Sequence, residues 1–112
     1  ESPDYTDEPE LYDGNWFINA AEPKDWFVNK YEAKHGEIPR VFAGNAYDIV
    51  KLVADAYGTY DSKPSTSQIS STLLLVKDYQ GAMGEVNANA AGTFVTEAIV
   101  KEIVGGESRV VG

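Results

Sequence analysis

The chain has 112 residues, with nine Lys or Arg against eighteen Asp or Glu and a formal net charge of −9, which argues against a nucleic-acid binder that relies on phosphate attraction. A hydrophobic content of 43% with 12% aromatics is too apolar for wholesale disorder, and the length suits one domain burying roughly 60–70% of its unfolded surface. There is no cysteine, hence no disulfide framework, thiolate metal site or cysteine nucleophile.

Residues 1–13 hold Glu1, Asp4, Asp7, Glu8, Glu10 and Asp13, no basic residue, and two prolines, Pro3 and Pro9. That composition predicts an extended, solvated acidic arm. Its carboxylates lack the ordered Asp, Asn and Gly spacing of a calcium loop, so no metal is predicted. Asn15 to Ala20, short, aromatic and branched after Gly14, reads as a buried strand. Pro23, Glu22 and Asp25 suit a helix start, and Lys34 and His35 before Gly36 suit its end, predicting a helix over 23–35. Its apolar face of Trp26, Phe27, the Lys30 stem and Tyr31 is expected to pack on a sheet.

From Phe42, the residues Ala43, Ala46, Tyr47, Val50, Val53, Ala54 and Tyr57 follow helical spacing without a miss. Phe42, Ile49, Leu52 and Ala56 widen this stripe, while Gly44, Asn45, Asp48, Lys51 and Asp55 form a narrow polar face. Protein is therefore expected to cover most of this helix, which Gly58 ends. Ser65 and Gln68 have capping-box spacing, and Ile69, Thr72, Leu73 and Val76 continue a third helix. Leu73 to Val76 also reads as a short strand, but the cap and the upstream period favour helix. Beyond Tyr79, Gly81, Gly84 and Gly92 punctuate short segments. Phe94–Val104 and Arg109–Val111 read as strands joined by a Gly105-Gly106 hairpin. The fold class is α/β, in the order β-α-α-α-β-β(-β).

Catalytic constellations are not apparent. The single histidine, His35, sits at a helix end, where partnership with the helix dipole explains it, and no nucleophile is tied to it. Gly81-Ala82-Met83-Gly84 lacks the Lys-Ser/Thr of a phosphate loop and the third glycine of a dinucleotide fingerprint, so it reads as a turn. No run approaches the ~20 apolar residues of a membrane span, and the opening residues are acidic where a secretory leader is basic and then apolar.

Phe42-Ala43-Gly44-Asn45-Ala46-Tyr47-Asp48-Ile49-Val50-Lys51-Leu52-Val53-Ala54-Asp55-Ala56 resembles a helix of the branched-chain amino-acid (type I) substrate-binding proteins of ABC transporters. The preceding stretch from Trp26 to Pro39 is similar to the helix that comes just before it in that family. Tyr79-Gln80-Gly81-Ala82-Met83-Gly84-Glu85-Val86 with Gly92 resembles the family's following turn and strand. Ala88 and Asn89 stand where the family has Phe and Asp. The likeness covers residues 11 to 106.

The resemblance implies the C-terminal segment of a two-lobed protein, a partial type I periplasmic-binding-protein fold with incomplete lobes. Residues 14–37 would supply a second-lobe strand and helix, 42–88 first-lobe helices and strand, and 94–112 second-lobe strands. It implies no cofactor, no enzymatic activity, an amino-acid-like ligand and an ABC permease as partner. The location would be periplasmic or extracellular, with a lipid anchor in the full-length protein an open possibility. Asp13, in the family's acidic-Gly step, would contact the ligand's ammonium, which needs a carboxylate once it is buried. Phe42 would line the side-chain pocket, with Tyr12 as a weaker neighbour. Without these roles, Asp13 belongs to the solvated arm and Phe42 to helix-start packing. Uncovered apolar faces in a fragment imply a homodimer or segment exchange. The alternative function is a ligand-sensing domain of a receptor or regulator with the same fold.

Overall fold

The computed structural model describes residues 9–111. The acidic arm predicted for residues 1–13 lies outside them up to Glu8, and Pro9–Tyr12 form a 3-10 turn where an extended chain was expected. Six strands and three α-helices follow: β1 (Trp16–Ala20), α1 (Asp25–His35), α2 (Ala43–Gly58), α3 (Thr66–Leu73), β2 (Tyr79–Gly81), β3 (Gly84–Ala88), β4 (Phe94–Thr96), β5 (Ala98–Val104) and β6 (Glu107–Val110). The expected two or three late strands are five short ones, because Phe94–Val104 is interrupted at Glu97. β4 pairs with β3 in a sheet ordered β2-β3-β4, while β5 lies between β1 and β6 in another.

The chain resolves into two compact units. One holds the chain up to Ala21 together with Ala98 onward, and the other holds Glu22–Glu97. α1 falls in the same unit as α2 and α3, and β1 in the other.

In the first unit, β1 runs antiparallel to β5 from Trp16 opposite Glu102 to Ala20 opposite Ala98. β1 is an edge strand, and exposed Trp16 and Ile18 correct the expectation of a buried one. On the opposite face of β5, Lys101 and Ile103 are buried. The β5–β6 turn is the predicted hairpin. Gly105 and Gly106 have φ of 61° and 78°, values that carry no Cβ penalty in glycine.

In the second unit, α1 begins two residues later than predicted, because Lys24 is still extended at its N-cap and Pro23 precedes the helix. It ends as predicted, with Gly36 in the left-handed region donating its N–H to the Glu32 carbonyl. Aromatic rings of its apolar face meet helix α2: the Tyr47 ring lies 5.3 Å from Phe27 and 5.9 Å from Trp26. The predicted capping box of α3 is complete. The Gln68 N–H donates to Ser65 Oγ at 3.3 Å, and the Ser65 N–H donates to Gln68 Oε1 at 2.9 Å. The helix stops at Leu73, short of Val76, and Leu74–Val76 are neither helix nor strand.

The main departure concerns α2. Its buried residues are Gly44, Asp48, Leu52 and Ala56, one turn apart along a single line. The stripe expected to be covered, including Ala46, Val50, Val53, Ala54 and Tyr57, faces solvent, with Ile49 63% and Val50 68% exposed. Small residues and one aspartate let α2 approach the β2–β3 turn closely, and the bulky face is left outward. Among the described residues no large side chain is fully buried. The described residues therefore do not complete a core around α2 by themselves.

Candidate functional site

Asp13 and Tyr12 belong to the first unit and Phe42 to the second. Tyr12 closes the 3-10 turn, and its carbonyl accepts the Asn15 N–H at 2.9 Å. The Gly14 N–H donates to Ile103 and the Ile103 N–H to Asn15, both at 2.9 Å, so the β1–β5 ladder extends back beneath Asp13. The exposed Asp13 carboxylate turns toward the hairpin, where Oδ1 accepts the Gly106 N–H at 3.2 Å. An exposed carboxylate that accepts one peptide N–H on one oxygen has further lone pairs to offer a cationic group.

Phe42 is the N-cap of α2 with φ 68° and ψ 0°. A bulky residue in the left-handed region is a backbone outlier that neighbouring structure must hold. The Ala43 N–H donates to the Arg40 carbonyl at 3.0 Å and the Ala46 N–H to the Phe42 carbonyl at 2.9 Å. Phe42 is 75% exposed, so helix-start packing among the described residues does not cover it.

Sequence reasoning missed Asp48, which it assigned to the polar face of the helix. Asp48 is only 5% exposed. Its Oδ1 accepts the Ala82 N–H at 2.6 Å, and its Oδ2 accepts the Met83 N–H at 3.1 Å. A buried carboxylate needs such donors, and two peptide N–H groups at a tight turn supply them. The turn is shaped around it. A Cβ on Gly81 would lie 2.5–2.9 Å from the Asp48 carboxylate, and one on Gly44 would collide with Met83 Sδ. The available signal was an aspartate in line, at one-turn intervals, with Gly44, Leu52 and Ala56, and a Gly-x-x-Gly turn downstream to receive it.

Tyr79, Lys51 and Asp55 form a further titratable group. Lys51 Nζ lies 3.3 Å from Asp55 Oδ1. The hydrogen bond and charge of Asp55 raise the Lys51 ammonium above its ordinary 10.5. Burial, then the Asp55 charge, raises the Tyr79 phenol above its ordinary 10.0. Elsewhere in the second unit, Ile69, Leu73, Leu74, Ala88 and Phe94 line an apolar depression of about 230 Å³. It contains none of the predicted site residues and is smaller than the ~300–1,000 Å³ of typical small-molecule sites. Among the described residues no group of three metal-ligating side chains converges, and no helix is long and apolar enough to cross a membrane.

Neither a protein-family model nor a curated protein matches this sequence. Solved structures do. A leucine-binding protein LivK from Thermotoga maritima is similar at TM-score 0.72 and 22% identity, over 93% of this chain and 33% of its own. A putative branched-chain amino acid ABC transporter protein from Rhodospirillum rubrum is similar at TM-score 0.73 and 23% identity, over 99% and 34%. The substrate-binding protein LivJ of Streptococcus pneumoniae, solved with isoleucine, is similar at TM-score 0.68 and 27% identity, over 93% and 32%. The chain thus has part of the type I periplasmic-binding-protein fold shared by branched-chain amino-acid ABC-transporter substrate-binding proteins, and spans about a third of the length of such proteins.

Proposed function

We propose that this chain is the C-terminal segment of the extracytoplasmic solute-binding component of an ABC importer, one that takes a branched-chain or similar amino acid between two lobes. The observation that supports the reading is the likeness, over 93% of the chain, to an isoleucine-bound LivJ. Asp13 would pair with the ligand's ammonium and Phe42 would line its side chain, with Tyr12 alongside. Ligand bridging two lobes would favour the closed state through contacts made only there, and the closed form would dock on the permease. The location in this reading is periplasmic or extracellular. In the lobe assignment that goes with this reading, 14–37 and 94–112 belong to the second lobe and 42–88 to the first. The outward apolar stripe of α2 is where further protein packs, supplied by the rest of such a protein or, in this chain alone, by a second copy through dimerisation or segment exchange.

The first test is the coding sequence upstream of Glu1. A signal peptide followed by further β-α-β units supports the reading. An unrelated output domain would replace it with a ligand-sensing receptor, and a start codon directly before Glu1 would leave only fold ancestry. The second test is melting of the 112-residue chain with millimolar isoleucine. No shift is expected, because the donors for the ligand carboxylate belong to the remainder of such a protein, and ligand stabilises a fold only well above its dissociation constant. A rise of several degrees would refute that division of the site.

A further inference from the structure

Asp13-Gly14 is the one step in the sequence at which an aspartate or asparagine is followed by glycine. At such a step the next peptide nitrogen can attack the side-chain carbonyl carbon, because a five-membered ring closes readily and glycine puts no Cβ in the way. Both residues are exposed to water. The fold nevertheless holds both reacting groups. Tyr12 to Asn15 form a tight turn, closed by the Asn15 N–H on the Tyr12 carbonyl at 2.9 Å, with Gly14 at φ 80°. The attacking nitrogen is that of Gly14, whose N–H donates to the Ile103 carbonyl at 2.9 Å. The carboxylate under attack is that of Asp13, whose Oδ1 accepts the Gly106 N–H at 3.2 Å. All of these residues lie in the first unit.

We propose that Asp13-Gly14 is a site of spontaneous aspartate isomerisation, held closed in the folded chain by the Gly14–Ile103 and Asp13–Gly106 hydrogen bonds. In the reaction the Gly14 nitrogen bonds to Asp13 Cγ and one Cγ–O bond breaks. The oxygen leaves as water with the amide proton and the carboxyl proton, and a succinimide remains. Water then opens the ring. Opening at Cγ restores aspartate, and opening at the former backbone carbonyl gives isoaspartate, so the mass returns to its starting value. The first step requires the Gly14 N–H to leave Ile103, at the end of an edge strand, where local opening precedes global unfolding. The product does not reseat. Its backbone is one methylene longer inside the Tyr12–Asn15 turn, and its carboxylate sits on the former main-chain carbon, away from Gly106. In the proposed function the same change would displace the carboxylate assigned to the ligand's ammonium, a consequence that rests on that reading. The chemistry itself belongs to this turn.

The test is to age the 112-residue chain in warm, mildly acidic buffer, folded in one sample and unfolded in guanidinium chloride in the other. Tryptic mapping then reads the peptide that ends at Lys24. The succinimide is one water lighter than the parent, and isoaspartate has the parent mass, a shifted retention and no cleavage by a protease specific for aspartate. The unfolded sample should gain isoaspartate chiefly at residue 13, and the folded sample should gain it there about tenfold more slowly or less. Asp13→Glu, whose longer side chain would have to close a six-membered ring, should lose this product. The isomerised chain, refolded, should melt about 4 °C or more below the parent, because it lacks hydrogen bonds of the turn. Equal rates in the two samples, or isoaspartate forming chiefly at another aspartate, would overturn the proposal. An unchanged melting midpoint would overturn the claim that the product does not reseat. None of these readings involves a ligand, so failure of a longer protein to bind amino acids would remove the transport reading and leave them as they are.

Discussion

Asp48 makes the sharpest energetic claim in the structure. Its side chain is buried and accepts two peptide N–H groups, from Ala82 and Met83. Asp48→Ala removes both acceptors and leaves two buried donors unpaired. Each such donor costs about 1–3 kcal/mol, and losing one partner of a buried charged arrangement costs about 3–5 kcal/mol. We expect a loss of about 3–5 kcal/mol, a large part of the ~5–15 kcal/mol that holds a domain of this size. At about 4 °C per kcal/mol, the midpoint of thermal unfolding should fall by about 12–20 °C. Asp48→Asn keeps one acceptor but turns an amide N–H toward the Met83 N–H, so its loss should be intermediate. The geometry adds a second condition. Gly81→Ala places a Cβ against the Asp48 carboxylate, an overpacking cost of about 1–3 kcal/mol. That cost should largely vanish in the Asp48→Ala background. Urea unfolding followed by circular dichroism gives all four corners of the cycle. A loss below about 1 kcal/mol for Asp48→Ala, or strict additivity of the two substitutions, would refute the reasoning.

Other outcomes follow from the same structure. Phe42→Gly should be more stable than Phe42→Ala by about 1 kcal/mol in chemical denaturation, because alanine keeps a Cβ in the left-handed backbone at φ 68° and glycine does not; equal stabilities would mean that residue 42 relaxes. The raised Tyr79 and Lys51 groups favour their protonated forms in the folded chain. Their contribution is therefore whole below pH of about 10 and lost as pH climbs through the raised values. Phenolate absorbance should show a late-titrating component that Tyr79→Phe removes; its undiminished persistence in that variant would refute the assignment. Val50→Lys, on the exposed stripe of α2, should change the chain's stability by less than about 0.5 kcal/mol. It should also reduce self-association in sedimentation velocity. A parent chain that is monomeric at all accessible concentrations would sink the dimer or segment-exchange proposal.

Much of the architecture was legible because its causes are local. The α3 start was written in Ser65 and Gln68, the end of α1 in Gly36, and the β5–β6 turn in Gly105-Gly106. Each is a backbone requirement met by residues within a few positions. The family resemblance was carried by motifs long enough to set helix order, and the solved structures match that reading in fold. As candidates for a ligand site, Asp13 and Phe42 could be named from the resemblance. The Gly106 N–H on Asp13 and the left-handed backbone of Phe42 could not, since both depend on where the chain turns.

What the sequence determined by itself is the three helices, the α3 cap, the end of α1 and the β5–β6 turn, and the acidic, cysteine-free character of the chain, because propensity, periodicity and turn chemistry act over a few residues. The tertiary structure decided which face of α2 is covered. Periodicity identified an apolar stripe, but burial depends on what lies opposite, and here the β2–β3 turn sits against Gly44 and Asp48. Only that long-range contact turns an aspartate from a surface residue into an anchor and leaves Ile49 and Val50 facing outward. The same holds at Glu97, where one apolar run becomes two strands in two sheets because its halves find different partners.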